Sequence, residues 1–321
     1  MLLHLLQCSI NSTLEILNSI EMEIVNTPED RFENLPDYDF IGEYVEVGDG
    51  LKMHFIDAGN PLATETILLL HGEPSWSYLY RHMIPILIEA GYRVLAPDLI
   101  GFGKSSKPTE TSDYTYATHV SWTNTWLESV NPGTLTMFAQ DWGGLIGLRL
   151  VDLSPNRFSR ICISNTGLPT GDHKATEAFL KWQAFSQKAN PFPFEKVMQG
   201  ATEKELSDAE LAAYKAPFPD FIYTAGARIF PALVPTKPDD PESENNRQAW
   251  RNTFMKWEKP FLTLFGDKDP VTNGGEKVWQ KLVPGAKGQK HQIIEGGGHF
   301  IQEDKGHILS NLLIDFINDN S

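Results

Sequence analysis

The sequence predicts an α/β fold, a mostly parallel central sheet flanked by helices with a helical segment inserted late in the chain. Three observations carry this. Short apolar runs alternate with helical spacing from about Tyr44 onward. The run Thr66 to Leu70 is continuously apolar, as a strand buried on both faces must be. The alternation breaks between Asn165 and Trp250, where Pro-rich pieces and helical stretches carry no buried-strand pattern, and it resumes at Pro260.

In order, Tyr44 to Val47 and Leu51 to Ala58 read as a hairpin turned by Gly48-Asp49-Gly50. After the strand Thr66 to Leu70, the spacing predicts a helix over Tyr78 to Ala90 that stops at Gly91, then a strand over Tyr92 to Ala96. Tyr116 to Ser129 has helical spacing, Thr134 to Phe138 is a strand, and a helix from Gly143 to Leu153 follows it directly. Phe158 to Ser164 and Pro260 to Phe265 are strands on either side of the insertion. Glu276 to Leu282 (helix), His291 to Ile294 (strand) and His307 to Ile317 (helix) complete the pattern. The expected division is a core of residues 22–164 and 250–321, a helical cap of residues 165–249, and a terminal extension of residues 1–21.

A chain of 321 residues suffices for one large core, or a core with a smaller inserted domain. The net charge of −15 repels phosphate backbones and anionic lipid heads, which argues against nucleic acid and membrane partners. The two cysteines, Cys8 and Cys162, are expected to be unpaired, and no Cys or His cluster has metal-ligand spacing. Leu2, Leu3, Leu5 and Leu6 resemble part of a signal sequence. No Lys or Arg precedes them and no small-residue cleavage site follows, so the expectation is an uncleaved extension on a cytoplasmic protein.

The strongest chemical signal is Phe138-Ala139-Gln140-Asp141-Trp142-Gly143-Gly144, which joins a strand directly to a helix. This is the setting of a nucleophile elbow, with small residues two positions either side of the nucleophile. Asp141 stands at its centre. An aspartate before a helix is commonly a cap, but a carboxylate at an elbow is also an ionised nucleophile that needs no base for its attack. Displacing a leaving group from a saturated carbon gives an alkyl ester, and a base is needed only when water attacks that ester. The segments Phe261 to Pro270 and Ile293 to Phe300 supply an acid and a histidine in the chain order of α/β-hydrolases, Asp269 and His299. Asp269 is preferred to Asp267 because it lies further past the strand end. His71-Gly72-Glu73-Pro74 follows a buried strand, so the backbone N–H groups of Glu73 and Trp142 are the expected oxyanion donors.

At these motifs the chain resembles the haloalkane dehalogenases. The resemblance includes Asn26-Thr27-Pro28-Glu29-Asp30-Arg31-Phe32, the run from His71 to Arg81, Asp98-Leu99-Ile100-Gly101-Phe102-Gly103-Lys104-Ser105, Gln140 to Gly144, and Gly298-His299-Phe300-Ile301-Gln302-Glu303. It implies an α/β-hydrolase fold and hydrolysis of carbon–halogen bonds to a primary alcohol, halide and a proton. Asp141 would be the nucleophile, Asp269 the acid and His299 the base. No cofactor or metal is implied; the partners are a small uncharged halogenated substrate, water and halide. Halide would be held by Trp142 and, in the branch with a cap tryptophan, by Trp182. Glu73 stands where the other branch has asparagine. The same matching makes Phe179, Phe230 and Pro231 pocket walls. An indole suits a leaving halide because its N–H donates while its ring keeps the pocket dry.

An epoxide hydrolase is the alternative, with Tyr214 and Tyr223 as the cap tyrosines that would protonate an epoxide oxygen. A fluoroacetate dehalogenase fits less well, since no arginine pair follows Asp141. A non-catalytic receptor on the same fold would often lack a triad member, and here each has a candidate.

Overall fold

The structure is a computed structural model that describes residues 22–321; the expected extension, residues 1–21, lies outside the described residues. Eight strands form the main sheet: β1 (Gly42–Glu46), β2 (Lys52–Ala58), β3 (Thr66–Leu70), β4 (Arg93–Pro97), β5 (Leu135–Gln140), β6 (Phe158–Ser164), β7 (Phe261–Gly266) and β8 (Gln292–Ile294). Their order across the sheet is β8-β7-β6-β5-β3-β4-β2-β1. β2 runs antiparallel to both β1 and β4, and every other pairing is parallel. The residues of β3, β5 and β7 are buried throughout, because helices cover both faces of a parallel sheet. The edge strand β1 is mostly exposed and correspondingly polar.

The core helices are α1 (Ile84–Glu89), α2 (Tyr116–Val130) and α3 (Trp142–Leu153). Between β6 and β7 the regular elements are all helical: α4 (Glu177–Ser186), α5 (Phe194–Gly200), α6 (Asp208–Lys215), α7 (Ala225–Leu233) and α8 (Ser243–Asn252), with short 3₁₀ turns. Helices α9 (Glu276–Leu282) and α10 (Ile301–Asp319) follow β7 and β8. α1 packs against α10, and α2 against α3.

Two helices differ from the sequence reading. The single helix expected over Tyr78 to Ala90 is a 3₁₀ turn at Ser77–Tyr80 followed by α1. Pro85 lies in the first turn of α1, where its missing N–H and fixed φ are tolerated; within a longer helix it would break the ladder. α10 begins at Ile301 rather than His307, and its path is interrupted at Lys305 (φ −139°, ψ 24°). That first turn turns polar residues Gln302 and Glu303 inward, so its apolar periodicity is hidden. A two-stranded ladder, Ile24–Val25 with Lys107–Pro108, was too short to register as a pattern. No helix among the described residues is long and apolar enough to cross a membrane.

Candidate active site

The site begins where β5 ends. Asp141 has φ 51° and ψ −127°, an uncommon backbone state for a residue with a side chain. The turn is held by Asp141 N donating to Asn165 O (3.2 Å) and by Thr166 Oγ1 donating to Asp141 O (2.7 Å). At Gly143 an added Cβ would lie 2.1 Å from Leu70 O, so the close crossing of α3 over β3 admits only glycine there. The result projects the Asp141 carboxylate out of the sheet.

Two loops reach that carboxylate, and a third reaches it through His299. Glu73 N donates to Asp141 Oδ1 at 2.8 Å. His299 Nε2 lies 3.4 Å from Asp141 Oδ2, and His299 Nδ1 lies 3.0 Å from Asp269 Oδ2. Asp269 is buried and also accepts from Val271 N (2.9 Å) and the Thr272 hydroxyl. Its neighbour Asp267 instead accepts from Gly296 N (2.7 Å) and pairs with Lys268. The structure therefore brings Asp141, His299 and Asp269 into one chain of contacts, with the Glu73 amide at its far end.

Electrostatics follow from this packing. Burial alone would lower the pKa of His299, but the carboxylates of Asp269 and Asp141 hold it well above the usual histidine value. Burial and the adjacent Asp141 charge push the Glu73 carboxyl well above the usual carboxylate range. Glu73 is 4% exposed and its Oε1 has no partner among the described residues. The shift favours the neutral form of this carboxyl beside the Asp141 carboxylate.

A cavity of about 810 Å³ opens over Asp141 between core and cap. Its walls include Leu145, Leu168, Phe179, Val197, Pro231 and Val234, and both Trp142 and Trp182. Trp76 and Trp250 donate their indole N–H groups to Ala213 O and Leu168 O; Trp142 and Trp182, like the buried Trp126 and Trp257, have no such acceptor among the described residues. Phe230 is a correction: it is fully buried, packs 4.5 Å from the Trp142 ring and 4.2 Å from His119, and does not line the cavity. Successive helix residues point about 100° apart, so α7 turns Pro231 to the cavity and Phe230 behind Trp142.

The two tyrosines of the epoxide reading are also elsewhere. Tyr214 is buried with its hydroxyl on Glu303, beside Arg81, and neither Tyr214 nor Tyr223 lines the cavity.

The description of the family model that matches is "alpha/beta hydrolase fold", over residues 65–306. A haloalkane dehalogenase of Psychrobacter cryohalolentis is 54% identical over 303 residues, spanning 93% of this chain and 99% of that protein. The chain belongs to the haloalkane dehalogenases. These are hydrolases acting on carbon–halide bonds, and the epoxide alternative is not favoured. A second haloalkane dehalogenase, from Mycolicibacterium paratuberculosis, is 46% identical over 297 residues, covering 91% of this chain and 98% of that protein. Among solved structures, the tetrameric haloalkane dehalogenase DpaA from Paraglaciecola agarilytica NO2 matches with a TM-score of 0.84 at 34% identity, covering 90% of this chain and 97% of that one.

Two residues of this dehalogenase site escaped the sequence reading. Asn165 Nδ2 donates to Gly298 O (2.8 Å) and His299 O (3.0 Å), and Gln140 Nε2 donates to His299 O (3.0 Å). Gln140 lies next to Asp141 and Asn165 just past a strand end, so position alone could have marked both as candidates. Nothing local says that they hold His299.

Proposed function

We propose that this dehalogenase works through a covalent ester on Asp141, with His299 as base, Asp269 as its partner, and Trp142 and Trp182 as halide donors. The observation that carries the reading is the division of the Asp141 carboxylate: Oδ1 rests on the Glu73 amide while Oδ2 faces the cavity beside His299 Nε2. Oδ2 attacks the halogen-bearing carbon; the carbon–halogen bond breaks and the pair of electrons leaves with the halide. The indole N–H groups of Trp142 and Trp182 receive the anion in an apolar pocket, where such donors count for more than in water.

Ester formation removes the negative charge of Asp141. One of the two carboxylates that raise the His299 pKa is then gone, and the imidazole can lose its proton to act as base. Neutral His299 takes a proton from water, whose oxygen adds to the Asp141 carbonyl carbon. The oxyanion on Oδ1 accepts from the N–H groups of Glu73 and Trp142, the latter being a free donor of the first turn of α3. Collapse expels the alkoxide, which takes the proton from His299, and the Asp141 carboxylic acid that remains gives its own proton to the imidazole. Asp269 balances the imidazolium throughout. The largely apolar cavity walls suit small uncharged halogenated molecules, and the net charge of −15 disfavours nucleic acid as a partner.

The test is a single turnover in heavy-oxygen water. Label is expected in Asp141 and not in the alcohol, because the original aspartate oxygen leaves with the product. Label in the first-turnover alcohol, with none in Asp141, would falsify the covalent route in favour of direct attack by water.

A further inference from the structure

His299 is gripped by its backbone from two sides. The core holds the carbonyls of Gly298 and His299 through Asn165 and Gln140. The amides on either side of the histidine are tied to the cap, one directly and the other through the core residue Asp304. Phe300 N donates to Ala201 O at 3.1 Å, directly across the core–cap boundary. Gly298 N donates to Asp304 Oδ2 at 2.7 Å, and the other oxygen of that carboxylate accepts from Glu203 N (2.9 Å) and Lys204 N (2.7 Å). The approach is close: a Cβ on Gly298 would stand 2.7 Å from Ala201 O and 3.0 Å from Asp304 Oδ2. The glycine before the histidine is thus needed for contact with the cap.

The same cap turn is anchored a second time. Lys204 Nζ donates to Glu210 Oε1 at 2.7 Å, and Arg81 Nη2 donates to the same oxygen at 2.9 Å. Arg81 also bonds Glu303, the residue before Asp304, and Tyr214 donates to Glu303 from the cap side. The guanidinium and both Glu303 oxygens are buried, so this anchor is not screened by solvent.

We propose that Asp304 is a positioning residue for the base: it ties the cap turn of residues 201–204 to the amide beside His299, so that the ring reaches water over the ester only with this turn seated. The inference rests on the reading of His299 as base. Its consequence is selective. Attack of Asp141 on carbon needs no base, so the first chemical step should tolerate a slightly displaced imidazole. Ester hydrolysis should not, since misplacement of a reacting group by ~1 Å can cost up to about a hundred-fold.

Asp304→Asn is isosteric but presents an amide N–H₂ to one of its two sets of N–H donors, which loses one side of the tie. Halide release in the first turnover and accumulation of the Asp141 ester should be followed by rapid quench and intact-protein mass spectrometry. Expected are a first-turnover halide burst close to wild type and ester hydrolysis slowed about ten-fold or more, with the ester visible in the steady state. Asp304→Ala, which removes both acceptors, should show the same pattern more strongly. Equal slowing of both steps, or wild-type rates for both, overturns the proposal. So does failure of both variants to fold, which would make Asp304 a general support. His299→Gln is the control: if it accumulates no ester, the role of His299 as base has failed, and if it does while Asp304→Asn does not, only the role of Asp304 has failed.

Discussion

The two sides of the cap are held very differently. On the side facing His299, α6 and the turn before it are bonded to the core through Arg81, Glu303 and Asp304, and Trp76 Nε1 donates to Ala213 O at 3.2 Å. On the side that carries Trp182, α4 buries only Ser186, and Leu180 and Phe185 are exposed. The polar contact of α4 with the core is Thr176 Oγ1 on Val271 O at 3.0 Å, while Gln183 bonds Pro231 O inside the cap. The difference follows from what each side does in the proposed reaction. A base must be placed to within a fraction of an ångström. The wall that carries Phe179 and Trp182 has to admit substrates and release products.

The largest expected effect is at the well-held side. Arg81→Met leaves Glu303 and Glu210 without their buried partner and should cost about 3–5 kcal/mol of stability. Urea unfolding at neutral pH measures it. A loss under ~1 kcal/mol, the range of a surface pair, would erase the contrast between the two sides.

At the loosely held side the expected effect is on chemistry. Trp182→Phe keeps bulk and removes a donor to the anion, worth about 1.5–3 kcal/mol and hence roughly ten- to a hundred-fold in dehalogenation. Unchanged dehalogenation rates and halide affinity would remove Trp182 from the halide site.

A titration sharpens the comparison from the His299 side. The folded pKa of His299 is raised above its unfolded value, so its protonation stabilises the fold fully below about pH 6.5 and ceases to do so as pH rises through the folded pKa. Asp141→Asn removes one of the two carboxylates that cause the shift, so an NMR titration of the ring should give a lower pKa than wild type. A ring pKa that does not move would mean that Asp141 and His299 do not interact as their 3.4 Å separation indicates.

The smallest effect is expected at the start of α4. Thr176 Oγ1 accepts from Phe179 N at 3.2 Å as a helix cap. Thr176→Val should cost about 1 kcal/mol, seen as faster hydrogen exchange in α4 with little change in that of α6. Equal acceleration in both helices would show that the cap moves as one body.

Asp141 was legible in the sequence because the elbow is a local event: a strand, a tight turn with Ala139 and Gly143 beside it, and a helix all lie within a few residues. The strands β3, β5 and β7 were legible for the same reason, since burial on both faces imposes a continuous apolar run. Other features depend on chain segments that are distant in sequence. Asp267 and Asp269 look alike locally, and only the path of the loop turns one to Gly296 and the other to His299. Phe230 and Pro231 are neighbours on one helix, and only the packing of α7 on Trp142 decides which of them meets the cavity. Tyr214 looked like a proton donor until Arg81 and Glu303, contributed by the core, enclosed it. Asp304 carries no local signal at all, because its donors lie six residues away at Gly298 and about a hundred away at Glu203 and Lys204. Covalent neighbours and periodicity fix the turn, the strand and the residue at the elbow; hydrogen bonds between remote segments form only in the packed chain, and they decide which aspartate meets His299, which aromatic residue lines the cavity and which cap contacts form.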